Sequence, residues 1–97
     1  MTRWGFIYSL GDEGTPWRID ELGSPVCTLV CVGIPKLEDA PVAARKLLDD
    51  GVQLIELCGA FGGAGLAAVV EAVEGRCPVG GVFYGGEAAG GLQRLFG

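Results

Sequence analysis

The sequence of 97 residues contains no histidine at all. This absence excludes the usual catalytic histidine, Ser-His and Cys-His nucleophile pairs, and zinc sites that need imidazole ligands. Four cysteines are present, at positions 27, 31, 58 and 77, but no two of them form a Cys-x-x-Cys pair. Zinc-finger spacing is therefore also missing, and we expect no metal site and no cofactor.

Basic residues are few and scattered. Seven lysines and arginines stand against twelve aspartates and glutamates, which gives a net charge of −5. Only Arg45 and Lys46 are adjacent, so the clustered basic surface that nucleic acids and anionic membranes require is absent. No uncharged run approaches the roughly 18 to 20 residues of a membrane span. The apolar run near the N-terminus is too short for a secretory signal, so we expect a cytoplasmic protein.

Apolar residues, in contrast, are abundant. They make up 49% of the chain, and the mean hydropathy is +0.42. Apolar surface that remains after a small domain has folded usually lies in a subunit interface, so we expect a homo-oligomer. The alternative is that 18 glycines and many alanines raise the index without leaving an apolar surface.

The hydrophobic pattern predicts one small α/β domain. Strands are indicated at residues 4–10, 26–33, 52–58 and 77–84, and the last three are apolar on both faces, as in a parallel sheet. Helices are indicated after Asp39, after the glycines that begin at Gly59, and in the tail, where Ala88, Leu92, Leu95 and Phe96 would pack. We therefore predict a mostly parallel four-stranded sheet with about three helices, joined by βαβ crossovers. The polar segment 11–25 is interpreted as a long loop.

The segment GVQLIELCGAFGGAG, residues 51–65, is the best candidate for a site. In open α/β sheets, ligands bind beyond the carboxyl ends of the strands. A glycine-rich turn there leaves main-chain amides free to hold a small anion. We expect ligand-binding residues in this turn and in the neighbouring strand ends, namely Gly59, Phe61, Gly62, Gly63, Ser9, Arg18 and Glu87. The alternative is that these glycines only make a tight turn and allow close packing.

Glu56 suggests chemistry at the same place. It shares a strand face with Leu54 and Cys58, so we expect it near the covered interior, where a carboxylate can act as a general acid or base. The alternative is a structural ion pair, with Arg18 or with an arginine of a neighbouring subunit. Cys58 is a candidate nucleophile without a histidine base, and Tyr84 is a candidate hydroxyl donor.

Two functions follow from this pattern. The first is binding of a small anionic metabolite, with a cofactor-independent isomerase, cyclase or lyase activity that uses Glu56, Cys58 and Tyr84. The second is a non-catalytic oligomeric module with a structural or regulatory role, in which the apolar excess forms the contact surface.

Three pieces of the chain also resemble a known family. The start at residues 4–10, the sequence VGIP at residues 32–35 and the segment at residues 51–63 are similar to a group of short bacterial proteins classed as domain of unknown function 6506. Ala60 stands where that group has a second glycine. The resemblance implies a free-standing domain and makes this segment central to the function of the family, but it supplies no activity and no catalytic residues.

Overall fold

The computed structural model describes residues 1–97 as one α/β domain. It contains five strands, three α-helices and three short 3-10 turns. The strands are β1 (Arg3–Ser9), β2 (Arg18–Ser24), β3 (Cys27–Ile34), β4 (Ile55–Leu57) and β5 (Val79–Gly81). The helices are α1 (Ala40–Asp49), α2 (Gly62–Val73) and α3 (Ala89–Phe96). None of these helices has the length and apolar character needed to cross a membrane.

The strands form a single sheet in the order β2-β3-β1-β4-β5. The pairs β1–β3, β1–β4 and β4–β5 are parallel, and only β2–β3 is antiparallel. Helix α1 joins β3 to β4 across β1, and α2 joins β4 to β5, which are the predicted βαβ crossovers. The four parallel strands therefore end at one edge of the sheet, as the sequence predicted.

The sheet has five strands instead of the predicted four, because part of the expected loop is a strand. β2 pairs along its whole length with β3, from Arg18 opposite Gly33 to Ser24 opposite Cys27. It was not recognised because it is an edge strand, with five of its seven side chains charged, small or glycine and most of them exposed. A tight hairpin turn at Pro25 and Val26 connects it to β3.

The core lies on one face of the sheet only. Ile7, Val32 and Ile55 point from adjacent strands toward α1 and α2, and the helices contribute Leu47, Val69 and Val73. Gly5 allows α1 to approach closely, because a Cβ at this position would stand 2.8 Å from a methyl group of Leu47. Both crossover helices thus pack on the same side of the sheet, against each other and against the strands.

The opposite face of the sheet has no helix packed along it. We call it the open face and define it by the strand residues that alternate with the core residues: Trp4, Phe6, Tyr8, Arg18, Asp20, Leu22, Ser24, Cys27, Leu29, Cys31, Gly33, Glu56 and Gly80. None of them belongs to the buried core cluster. The rings of Phe6 and Tyr8 stack along β1 with centroids 6.5 Å apart.

Helix α3 forms where the sequence predicts a helix, but it is not packed as expected. No residue of α3 is buried, and Leu95 and Phe96 are 75% and 84% exposed. The helix contacts mainly the 3-10 turn Gly86–Ala88 that precedes it. The prediction that Leu95 and Phe96 pack onto the domain is therefore wrong for the single chain.

Candidate functional site

A cavity of about 760 Å³ lies at the carboxyl ends of β4 and β5. The residue that follows β4, Cys58, forms one part of the wall, and Tyr84, three residues beyond β5, forms another. Helix α3 provides the opposite wall. The cavity is therefore located at the edge of the sheet where the topology of an open α/β domain favours a ligand.

The lining of the cavity is mostly apolar and contains no charged side chain. It consists of Cys58, Gly59, Ala60, Tyr84, Ala89, Leu92, Gln93, Phe96 and Gly97. The polar side-chain groups in this set are the phenol of Tyr84, the amide of Gln93 and the thiol of Cys58. Such a wall suits an uncharged ligand with an apolar body and one or two hydrogen-bonding groups. It offers no basic side chain to an anionic metabolite.

Main-chain hydrogen bonds beyond the ends of β4 and β5 bring Cys58 and Tyr84 together. The amide of Cys58 donates to the carbonyl of Ile7, and the amide of Val82 donates to the carbonyl of Leu57, so both segments continue the sheet beyond β4 and β5. The ring of Tyr84 then lies against Gly59, where a Cβ would stand 3.0 Å from the ring. A glycine at position 59 thus lets the Tyr84 ring lie close to the main chain at this wall of the cavity.

Three of the ten predicted site residues, Cys58, Gly59 and Tyr84, line this cavity. The prediction that Glu56 lies in the covered interior is wrong, because its side chain is exposed on the open face between the buried Ile55 and Leu57. Glu56 forms no ion pair within the chain, and the expected partner Arg18 pairs with Asp20 at 2.7 Å. The strand was predicted to be covered on both sides, but only its other side faces helices.

The residues of the glycine-rich turn that follow Ala60 lie outside the cavity, in different surroundings. Phe61 is buried in the core and borders an apolar groove between the starts of α1 and α2. Gly62 and Gly63 are exposed at the beginning of α2, and a Cβ at either position would have open space around it. Gly62 has a φ of +62°, which a glycine adopts without strain, so its conformation turns the chain into the helix. The tight-turn alternative accounts for these two glycines.

The remaining predicted residues lie outside the cavity. The hydroxyl of Ser9 accepts a hydrogen bond from the amide of Gly11 and closes the turn after β1. Arg18 lies on β2, where its hydrogen bond to Asp20 raises the pKa of the guanidinium. Glu87 lies in the exposed 3-10 turn before α3, next to Gly85.

Sequence reasoning missed the α3 side of the cavity. Leu92 and Phe96 were predicted to pack onto the domain, and Ala89 and Gln93 were not considered as site residues. The signal was present in the amphipathic spacing of the tail, which predicts an apolar stripe but not the surface that the stripe faces.

The structure contains no group of three or more cysteine, aspartate or glutamate side chains that could hold a metal ion. All four cysteines are free thiols. Burial raises the pKa of Cys31 and of Cys77, so these two thiols are held in the protonated form, which is the less reactive one.

Comparison with known protein families agrees with the resemblance noted in the sequence. No curated protein and no solved structure matches the chain significantly. A family model does match, and it covers residues 2–97, which is nearly the whole sequence. The chain therefore belongs to the family of unknown function DUF6506.

Proposed function

We propose that the protein binds a small, uncharged and mostly apolar molecule in the cavity between α3 and the carboxyl ends of β4 and β5. The observation that supports this function is the cavity itself, whose volume of about 760 Å³ falls within the range typical of small-molecule sites. The position at the carboxyl edge and the few polar groups in an apolar wall agree with the same function. The sequence favoured an anionic ligand, and the absence of charged side chains from the lining shifts the proposal to a neutral one.

The polar groups of the wall have distinct tasks in this proposal. The phenol of Tyr84 donates or accepts one hydrogen bond. The amide of Gln93, whose nitrogen also donates to the carbonyl oxygen of Gly97, lies on the opposite wall, so the ligand is oriented between the strand ends and α3. The thiol of Cys58 contacts the ligand as a small, polarizable apolar group. Leu92 and Phe96 supply the apolar surface on which most of the binding free energy depends.

A titration followed by amide NMR tests this function. Indole and p-cresol serve as neutral probes, and acetate and inorganic phosphate serve as anionic ones. We expect the neutral probes to shift the amide signals of Gly59, Ala60 and Leu92 and to raise the melting temperature, since a ligand that binds only the folded state stabilises it. Shifts with phosphate alone would contradict the uncharged site and support the anionic one.

Matched variants locate the binding. Ala89→Leu places a larger side chain in the cavity wall, whereas Ala67→Leu makes the same change on an exposed turn of α2 that does not line the cavity. We expect Ala89→Leu to weaken probe binding about tenfold or more, because the added methyl groups occupy the ligand's volume. Ala67→Leu is expected to bind as the wild type does. Equal binding by both variants would remove the cavity from the proposal.

An enzymatic form of the proposal assigns proton transfer to Glu56. Glu56 precedes the cavity residue Cys58 by two positions on the same strand face, so only a ligand that extends past Cys58 along the open face would meet its carboxylate. This hypothesis is tested by Glu56→Gln with an identified substrate. Turnover that stays unchanged would exclude an acid–base role for Glu56.

Assembly into a homo-oligomer is the second proposed property, and a separate observation favours it. The single chain leaves many large apolar side chains exposed, among them Leu22, Phe83, Leu95 and Phe96. Contact between two or more copies would remove this apolar surface from water. Light scattering against concentration is expected to give a mass that is a multiple of the 10.0 kDa chain. A monomeric mass at every concentration would contradict this property.

A further inference from the structure

Helix α3 is held to the rest of the domain by the chain itself and by apolar contacts. The last main-chain hydrogen bond to the sheet is donated by the amide of Val82 to the carbonyl of Leu57. Beyond Val82, every hydrogen bond of residues 83–97 stays within that segment, and none of the ion pairs involves it. No polar interaction therefore fixes the distance between α3 and the strand ends on the other side of the cavity.

Helix α3 also buries very little of its own surface. None of its residues is fully buried, Leu92 is half-buried, and Phe96 is largely exposed although it lines the cavity. Elements with few buried apolar contacts and exposed hydrogen bonds open without unfolding of the whole domain. Gly90 and Gly91 lower the intrinsic stability of this helix further. Helix α3 is therefore able to move while the core stays intact.

The apolar stripe of α3 is only partly turned toward the cavity. Leu92 and Phe96 line the cavity, whereas Leu95 does not line it and is 75% exposed. With 3.6 residues per turn, Leu95 stands about 60° from Leu92 around the helix axis, so the two side chains belong to one stripe. A small rotation of α3 toward the strand ends would turn the whole stripe, including Leu95, to the mouth of the cavity.

The connection that precedes α3 has the composition of a hinge. The ring of Tyr84 lies against Gly59, and two successive glycines, Gly85 and Gly86, follow it at the start of the 3-10 turn. A Cβ at position 86 would have open space around it, so the chain can change direction there without a clash. Hinges are formed by a few residues, at loops or at the ends of elements, that absorb changes in φ and ψ. These glycines join a wall of the cavity that packs on the sheet to a wall that does not.

We propose that α3 is a lid that closes over the cavity when a ligand binds. This inference rests on the proposed function and adds to it the movement that encloses the ligand. A neutral, mostly apolar ligand favours the closed position, because only there do Leu92, Leu95 and Phe96 pack on it together. Closure removes the ligand from water, and a charged ligand would lose its hydration there without gaining a charged partner.

Amide hydrogen exchange followed by NMR tests the movement. In the free protein we expect the amides of α3 to exchange about a hundredfold or more faster than those of Val69 and Val73, because opening of α3 exposes no core. Saturating p-cresol is expected to slow exchange in α3 about tenfold or more. The amide of Val26, in the hairpin turn at the opposite edge of the sheet, is the control and is expected to keep its rate.

A pair of matched variants tests the closed position. Leu95 does not line the cavity, so a rigid site predicts that Leu95→Ala binds p-cresol as the wild type does. Closure predicts that this variant binds about threefold or more weakly, because the leucine is buried only in the closed complex. Leu22→Ala makes the same change at an exposed leucine of β2 and is expected to leave the affinity unchanged. Circular dichroism checks that both variants are folded, and light scattering checks that their mass equals that of the wild type.

The outcomes separate the lid from the cavity. Shifts of the Gly59 and Ala60 signals by p-cresol, with unchanged exchange in α3 or with full affinity in Leu95→Ala, would overturn closure and leave a static binding site. Amides of α3 that are as protected as those of α2 in the free protein would also overturn the lid. Protection that rises with protein concentration in the absence of p-cresol would show that a second copy covers α3, and would contradict closure. Failure of every probe to bind would overturn the proposed function and the lid together.

Discussion

The phenol ring of Tyr8 lies across Gly33 on the neighbouring strand. A Cβ at position 33 would stand 2.7 Å from the ring carbon that bears the hydroxyl, and 2.8 Å from a methyl group of Leu10. Gly33 is buried even though it lies on the open face, because the Tyr8 ring covers it. The position of one aromatic side chain thus depends on the absence of a side chain on the next strand.

Gly33→Ala is expected to displace the Tyr8 ring and to lower the free energy of unfolding by about 1–3 kcal/mol, the usual cost of overpacking. Gly80→Ala is the matched control, since Gly80 lies on the same face and has open space around it. The control is expected to leave stability unchanged or slightly raised. Urea denaturation measures both variants, and equal stabilities would show that the Tyr8 ring moves aside at no cost.

Gly5 and Leu47 form a similar pair on the covered face. We expect Gly5→Ala alone to destabilise the protein by about 1–3 kcal/mol, because the added methyl group enters the space of a fully buried leucine. Leu47→Val alone removes buried volume and is expected to cost about 1 kcal/mol. The double variant is expected to be more stable than the sum of the two single changes predicts. An additive result in the double-mutant cycle would show that the two side chains do not compete for one space.

The C-terminal end of α2 has a residue in an unfavourable conformation. Glu74 has φ +52° and is the only residue other than glycine with a positive φ. Glu74→Gly is expected to raise the free energy of unfolding by about 0.5–1 kcal/mol, since glycine adopts this conformation without the steric penalty. Glu71→Gly, inside the same helix, is expected to lower it by about 1 kcal/mol. Thermal denaturation of the two variants measures both changes in stability, and a loss of stability in Glu74→Gly would contradict the prediction.

The turn after β1 is expected to respond to acid through Asp12. Its carboxylate accepts hydrogen bonds from the amide of Gly14 and from the hydroxyl of Thr15, and these bonds hold the pKa of Asp12 below its ordinary value of 3.8. A lowered pKa in the folded state means that the carboxylate stabilises the turn above pH 3.8. This contribution is lost as the pH falls through the lowered value.

Carbon-13 NMR of the Asp12 carboxyl group measures this pKa directly. Thr15→Val removes one of the two donors, so the pKa is expected to rise toward the ordinary value while the Gly14 bond remains. An Asp12 that titrates at or above its ordinary value in the wild type would show that the turn does not form in solution.

The fold was largely predictable because the buried strands have an unambiguous pattern. β1, β3 and α1 are recognisable from their apolar spacing, and the alternation of strands with helices predicts the parallel sheet. β2 escaped recognition because an edge strand needs few apolar residues. Its pairing depends on main-chain hydrogen bonds to β3, which leave little trace in the sequence.

The site was predictable as a location but not as a set of residues. Cys58, Gly59 and Tyr84 come together because parallel strands end at one edge, which topology alone implies. The exposure of Glu56 was not predictable, because an apolar strand that is covered on both faces and one that is covered on a single face can have the same sequence pattern. The contribution of α3 depends on where a short amphipathic helix docks, and its own sequence does not specify that surface.

The composition of β2 has a consequence for the behaviour of concentrated solutions. Its outer edge presents unpaired main-chain groups, but Arg18, Asp20 and Glu21 place charge on both sides of it. Charged edge strands resist the addition of further strands, which is how aggregation into fibrils begins. The charges of β2 therefore oppose the addition of further strands to this edge of the sheet, and replacing them with valine or threonine is expected to favour fibril formation.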